Sequence, residues 1–309
     1  MTRSRSVTAT TGQRACAAMV VVLWAGALSS FGPASHAPAF NGAAALADTR
    51  RATSFGERPA GSDALARLRD WIVSQLKPLG CEVSLDSFQA QTPDGPISMA
   101  NIIAKFPGTS GKSIVVTGHY DTLRKPMVHF VGANDAGSST GFLIEFARVV
   151  AHTKHSDDIY VVFFDGEEAV KTWTETDSRY GSRHLAARWG GDGTLSRIRA
   201  LINVDMIGDK DLDIANDENS SRSLRDLVSK AASQLGYTKY FRTDPGAIDD
   251  DHTPFVATGV NAVDIIDLDY GPQNSYWHTA QDTMDKLSAH SLQVVGDVVL
   301  RVVEELERT

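Results

Sequence analysis

The stretch Tyr160-Val-Val-Phe-Phe-Asp-Gly-Glu-Glu168 constrains this chain more than any other. Apolar, strand-forming residues run without interruption into an acidic cluster that ends in two adjacent carboxylates, Glu167 and Glu168. An unbroken apolar run reads as a strand buried on both faces, the kind found in parallel sheets covered by helices. Like charges side by side repel, so a buried pair needs a cation or a proton between them. A metal ion supplies the cation, and one carboxylate can ligate while its neighbour moves protons. Ligand-type side chains are then expected at the ends of other strands.

The rest of the chain alternates strands with helices. Helical spacing of Leu65, Leu68, Ile72 and Leu76 predicts a helix over 62–79, capped by Ser62 and ended by Gly80. Strands are predicted at 82–88, 101–106, 113–117, 160–164, 200–204 and 261–266. Further helices are predicted at 139–151, 182–188, 221–235 and 288–307. This order implies an α/β fold with a mostly parallel central sheet covered on both faces. One domain over 48–309 is the simplest organisation.

Each predicted core strand leads to metal-capable residues. Ile114-Val-Val-Thr117 is followed by Gly118-His119-Tyr-Asp121, and then by Asn134-Asp135-Ala-Gly137. Phe164 leads to Glu167-Glu168, and Val204 to Asp205-Met-Ile-Gly208. Trp277-His278-Thr279 lies beyond the last strand. Open α/β sheets bind ligands at the carboxyl ends of their strands. Any one of these residues alone reads equally as a turn, a cap or a core histidine. Five separate segments delivering ligand types to one sheet edge do not. Imidazole and carboxylate without thiolate suit a catalytic zinc site, and two histidines make the set too nitrogen-rich for calcium or magnesium. Asp121, two residues from His119, is placed to accept the other ring N–H and fix the tautomer.

The net charge of −8 and the lack of a basic stripe argue against nucleic-acid binding. Arg3, Arg5 and Arg14 precede an apolar run, Ala15 to Leu28, followed by small residues, Ser and Pro. Residues 1–40 thus resemble a secretory signal, with Ala37-Pro-Ala39 and Ala45-Leu-Ala47 as candidate cleavage points. The run is roughly fourteen residues, short of the ~20 that span a bilayer; an uncleaved N-terminal anchor is the competing reading. An exported protein, periplasmic or secreted, with no membrane span in the mature domain, is expected. Without the leader, Cys81 is the lone cysteine, so no internal disulfide is available.

These motifs, in this order, resemble the clan of zinc aminopeptidases with a co-catalytic metal pair. The resemblance implies a three-layer α/β/α sandwich around a mixed sheet. It also implies metal ligation by His119, Asp135, Glu168, Asp205 and His278, with Glu167 as general base. Two features resemble one branch, the glutaminyl-peptide cyclotransferases. A long insert carrying Trp173 separates Glu168 from Gly181-Ser182, and Ile248-Asp-Asp250-Asp-His252-Thr-Pro-Phe255 matches the loop whose acid contacts the substrate amide. Position 249 departs from that pattern, with Asp in place of an amide residue. Gly118 and Thr140 stand where animal cyclases carry a disulfide.

The cyclase reading implies one zinc on Asp135, Glu168 and His278 and peptides with N-terminal glutamine as substrate; a monomer is expected. Trp173, Trp277 and Ile248 would wall the substrate slot, Asp250 would bind the leaving amide, and Asp205 would share a proton with Glu167 or Asp250. The aminopeptidase reading implies two zinc ions bridged by Asp135. A third reading, a catalytically silent peptide-binding ectodomain, gives no reason to keep Glu167 beside the ligands.

Overall fold

The computed structural model describes residues 1–6, 8–9 and 39–308. The apolar run 15–28, Cys16 and most of the first candidate cleavage point lie outside these. The chain divides into two units, Met1–His36 and Ala37–Thr309, and every helix and strand described belongs to the second.

A helix that the apolar periodicity did not reveal, α1 (Gly42–Thr53), opens this unit. Its sequence is alanine-rich, with too few large apolar residues to give a periodic signal. Asn41 caps it, its side chain accepting from the Ala43 and Ala44 amides at 3.1 Å. Ala45-Leu-Ala47 lies inside α1, so cleavage there would cut a packed helix in two. Next comes α2 (Asp63–Leu76), capped by Ser62, whose hydroxyl accepts from the Leu65 amide. Its four regularly spaced apolar residues are all buried, and Gly80 closes the segment at φ 77°.

The hairpin β1 (Glu82–Thr92) and β2 (Gly95–Phe106) is longer than hydrophobicity alone suggests, because its distal half carries polar residues. The chain continues through β3 (Ser113–His119), α3 (Gly137–Ala151), β4 (Asp158–Phe164), α4 (Tyr180–Asp192) and β5 (Ile198–Asp205). It ends with β6 (Ile214–Asp217), α5 (Arg222–Gln234), β7 (Phe241–Gly246), the short α6 (Thr253–Val256), β8 (Ala262–Ile266) and α7 (Ala289–Glu307).

Six strands form one sheet in the order β1-β2-β4-β3-β5-β8. The pairs β1–β2 and β2–β4 are antiparallel, and β4, β3, β5 and β8 run parallel. Every residue of β3 is buried. Ile114 and Val116 pack towards α1, α2, α3, α5 and α7, and Val115 faces the opposite way, into the cluster of Leu185, Trp189 and Phe255 from α4 and α6. The result is the expected three-layer sandwich with a mixed, mostly parallel sheet. A separate parallel pair, β6–β7, escaped sequence reading because β7 is exposed and contains Pro245.

Gly118 lies where β3, β5 and α3 meet. A Cβ there would stand 2.7 Å from the Val204 carbonyl and 2.9 Å from the Ser139 Cβ. Close approach of backbones fixes this junction without a crosslink, and Cys81 is a free thiol. Gly141 plays the same part between α3 and α1, where an added Cβ would meet the Ala45 carbonyl at 2.3 Å. Gly→Ala inside an exposed helix stabilises by about 1 kcal/mol. At Gly141 the clash with backbone reverses the sign, and Gly141→Ala is expected to cost about 1–3 kcal/mol. Chemical denaturation measures this, and an increase in the unfolding midpoint would contradict the packing described.

Candidate active site

The parallel strands end at one edge, and the predicted ligand residues gather there. His119 is the last residue of β3 and Asp205 the last of β5. Beyond β4 the chain turns at Gly166, φ 68°, where a Cβ would meet the Met99 sulfur at 2.5 Å, and then presents Glu167 and Glu168. Asp135 sits immediately before α3; Ala136 is left-handed and Gly137 packs against the Gly132 carbonyl, which accounts for the Asp-Ala-Gly motif. His278 enters from the loop after β8. Its own backbone is left-handed, φ 54°, and Lys125 Nζ donates to its carbonyl at 2.5 Å.

Asp135 occupies the centre. Its Oδ1 is 3.4 Å from His119 Nε2, and its Oδ2 is 3.1 Å from His278 Nε2. Asp205 Oδ1 meets the same His119 nitrogen at 3.0 Å, and Glu168 Oε1 meets His278 Nε2 at 3.2 Å. Two triads result, His119–Asp135–Asp205 and Asp135–Glu168–His278, each able to point one ligand atom at a common centre. Glu167 stays outside both, its Oε2 3.8 Å from His119 Nδ1.

This edge is short of positive charge. Burial pushes the Glu168 carboxyl up to about 7, with Asp135 adding to the shift. Burial likewise raises Asp205 to about 6 despite His119. Glu167 is driven well above its ordinary value by burial first, then by Glu168, Asp250 and Asp251. Burial opposes charge on the imidazoles too, but their carboxylate partners win: His278 rises to about 10, and His119 also rises well above its ordinary value. Burial also works against the Asp135 carboxylate, yet its contacts with both imidazoles hold it low. Glu168 Oε1, His119 Nδ1 and Asp250 Oδ2 are buried and make no hydrogen bond. Several ligand-type atoms thus converge in a buried cluster that must hold extra protons or a cation, and a bound cation would replace those protons. Imidazole and carboxylate with no thiolate fit zinc.

The residues around the ligands hold them in place. Asp282 accepts from the Asn134 amide at 2.7 Å, the Asp135 amide at 3.1 Å and the Tyr270 hydroxyl at 2.9 Å. Arg58 is fully buried and donates to the Val131 and Gly132 carbonyls. Burial pulls its guanidinium down to about 10 against the attraction of Asp282, Asp121 and Asp135. Asp121 is 3.6 Å from His119 Nδ1, beyond hydrogen-bond range. Its carboxylate instead accepts from the Glu167 and Glu168 amides at 3.1 and 3.3 Å, fixing the paired glutamates from behind. Asp205 partners His119 rather than Glu167 or Asp250. Asp282, Tyr270 and Arg58 carry no sequence signal, because their roles appear only when distant loops close.

A cleft of about 480 Å³ opens over the ligands, walled by Trp173, Trp277, Ile248 and Leu268, with Glu167 and Asp250 at its floor. Trp173 and Trp277 are 40% and 38% exposed, so both present indole surface to the cleft. Another cleft of about 470 Å³ lies between α2 and the β1–β2 hairpin, but no histidine lines it. Chemistry, not volume, selects the first.

Residues 101–303 match the model of peptidase family M28. A glutaminyl-peptide cyclotransferase of Drosophila melanogaster is 32% identical over 241 residues, covering 70% of this chain and 67% of the relative. The crystal structure of a glutaminyl cyclase from an Acidobacteriales bacterium is 43% identical with a TM-score of 0.85, covering 90% of this chain and 98% of that one. The structure of a Zn-dependent exopeptidase from Parabacteroides distasonis has 27% identity and a TM-score of 0.78, with coverages of 89% and 100%. With the fold, the motif order and these likenesses in agreement, the chain belongs to the glutaminyl-peptide cyclotransferase branch of peptidase family M28.

Proposed function

We propose that this protein is a zinc-dependent glutaminyl-peptide cyclotransferase, which converts the N-terminal glutamine of a peptide to pyroglutamate and releases ammonia. The observation that carries this reading is the single cleft in which Trp173, Trp277, Ile248 and Asp250 meet beside Glu167. A cleft lined by two indoles suits one flat, neutral side chain better than a range of N-terminal residues.

Asp135, Glu168 and His278 would hold the zinc. Bound there, zinc supplies Lewis-acid polarisation of the γ-carbonyl. The remaining work falls to the protein. The slot holds the glutamine side chain folded towards its own α-amine, so attack is intramolecular and much of the entropic barrier is removed. The amine nitrogen bonds to the γ-carbon, the carbon–amide nitrogen bond breaks, and Glu167 carries a proton from the amine to the departing nitrogen. Burial raises its carboxyl, so it holds a proton more readily than an exposed glutamate and can pass it on. Asp250, with Oδ2 unpaired, would accept from the leaving amide nitrogen. Asp205 would keep His119 oriented. The basic and apolar N-terminal sequence supports export. Among the described residues no helix is long and apolar enough to cross a membrane.

One observation favours an aminopeptidase as the second reading. The two oxygens of Asp135 face different imidazoles, which suits two ions, one flanked by His119 and Asp205 and one by Glu168 and His278. Glu167 would then take a proton from an attacking water. Purified protein incubated with a Gln-initiated and a Leu-initiated peptide distinguishes the two by mass. Loss of ammonia from an intact chain is expected; loss of the first residue would replace the cyclase reading. The same assay on Glu167→Gln is expected to show roughly 10²–10⁴-fold less turnover with the zinc content retained, and full activity would remove Glu167 from its role.

Zinc removal has a predicted pH signature. In the zinc-free protein, Glu168 and Asp205 hold protons that the unfolded chain releases near pH 4. His278 holds one up to about pH 10 that the unfolded chain releases near 6.5. The folded state binds more protons throughout, so its stability falls as pH rises from about 4 towards 10. Asp135 acts oppositely, but only below about pH 4. Zinc requires these groups deprotonated. Added zinc is therefore expected to raise the melting temperature more at pH 8 than at pH 5, and calorimetry showing the reverse would contradict this ligand set.

A further inference from the structure

The acid at position 249 has a partner. Arg179 immediately precedes α4 in a left-handed conformation, φ 49°, and is only 6% exposed. Its amide donates to the Glu167 carbonyl at 2.7 Å, which ties it to the catalytic segment. Its guanidinium donates to Asp249 Oδ1 and, at 2.6 Å, to the Thr253 hydroxyl. That hydroxyl lies 2.8 Å from the same Asp249 oxygen. The other oxygen, Oδ2, accepts from the indole N–H of Trp173 at 3.4 Å, and the guanidinium carbon stands 5.7 Å from the Trp173 ring centroid. Asp249 is therefore held on one side by a buried cation and holds a tryptophan on the other.

Behind the cleft the two walls joined in this way also meet where the Ser182 hydroxyl donates to Asp251, but that contact lies away from the indole. Trp173 stands on the segment between Glu168 and α4. The base of that segment is fixed by Asp177, which accepts from the Val170, Lys171 and Thr172 amides. None of these bonds reaches the indole. Ile248 and Asp250 belong to the loop after β7, which also lines the cleft. The Asp249 side chain, 46% exposed, bridges the gap. An exposed ion pair contributes little, but a cation buried as deeply as Arg179 requires a counter-charge. Among the described ion pairs, Asp249 is the only acid that supplies one.

We propose that the Arg179–Asp249 pair is a positioning latch that fixes the width of the slot between Trp173 and the 247–251 loop and cancels the charge at its rim. The proposal rests on the glutamine-cyclising reading. A carboxylate at 249 without Arg179 would place a second negative charge next to Asp250, at a site meant for a neutral amide. A cation at 179 without Asp249 would leave a buried charge beside the Trp173 ring. Together they are neutral and rigid, which accounts for an acid where the branch carries an amide.

Kinetics on Asp249→Asn, Arg179→Met and the double variant test this. Each single change is expected to raise KM for a Gln-initiated peptide about tenfold, with kcat changed less, and the double variant to recover most of the loss. Additive losses in the double variant, or a fall in kcat at constant KM, would overturn the latch. Arg179→Met removes a buried donor and can fail to fold, so Asp249→Asn carries a second measurement that needs no substrate. Trp173 emission, taken as the difference between each protein and its Trp173→Phe counterpart, is expected to be more accessible to acrylamide in Asp249→Asn. Unchanged accessibility overturns the latch. Failure of the cyclase reading would appear instead as a lack of pyroglutamate formation by the unaltered protein, and the quenching result would still decide the latch.

Discussion

The Asp135 carboxylate, set between two imidazoles, is the contact on which the site depends. One oxygen faces His119 and the other His278, and Asp205 and Glu168 meet the same ring nitrogens from beside it. Acids outnumber bases here, and almost every one is buried. Such a cluster persists only if protons or a cation make up the difference. Much of the surrounding structure serves to keep the acids close together despite their repulsion. Arg58 brings a permanent cation underneath, and Asp282 and Asp121 bind the backbone amides next to the ligands.

The sheet supplies the rigidity this requires. Strands β3 and β5 are adjacent and parallel, so His119 and Asp205 emerge side by side with no loop between strand and ligand. The paired glutamates follow β4 after one tight turn. His278 is the exception. It comes from a long loop in a left-handed backbone, restrained by Lys125 and by the stacked Trp277 ring 4.2 Å away. Rigid strands thus set three of the candidate ligand positions closely, Asp282 and the start of α3 set Asp135, and side-chain contacts set His278.

The parts legible in the sequence were those governed by local chemistry. Core strands declared themselves by unbroken apolar runs, α2 by its spacing and its Ser62 cap, and the candidate ligand residues by following those strands. The parts that stayed hidden depend on closure between distant segments. Helix α1 has little hydrophobic signal and is held by close backbone approach at Gly141. The strands β6 and β7 are short and half exposed. Asp282 looks like any loop acid until its contact with residues 134 and 135 is known. Asp121 was chosen correctly as a neighbour of His119, but spacing could not tell that its hydrogen bonds go to the Glu167 and Glu168 amides. Likewise Asp249 read as an anomaly until Arg179 appeared beside it.

The glycine at the junction of β3, β5 and α3 bears on where the protein can work. At Gly118 the Val204 carbonyl and Ser139 leave no room for a side chain, so shape alone holds the junction. Among the described residues the only thiol is Cys81, next to the packing of α2 and β1 and far along the sheet from the strand ends. Nothing in the packed domain then waits on an oxidant to mature, and nothing near the ligands can be cut by a reductant. The packing of the described domain therefore does not depend on disulfide formation.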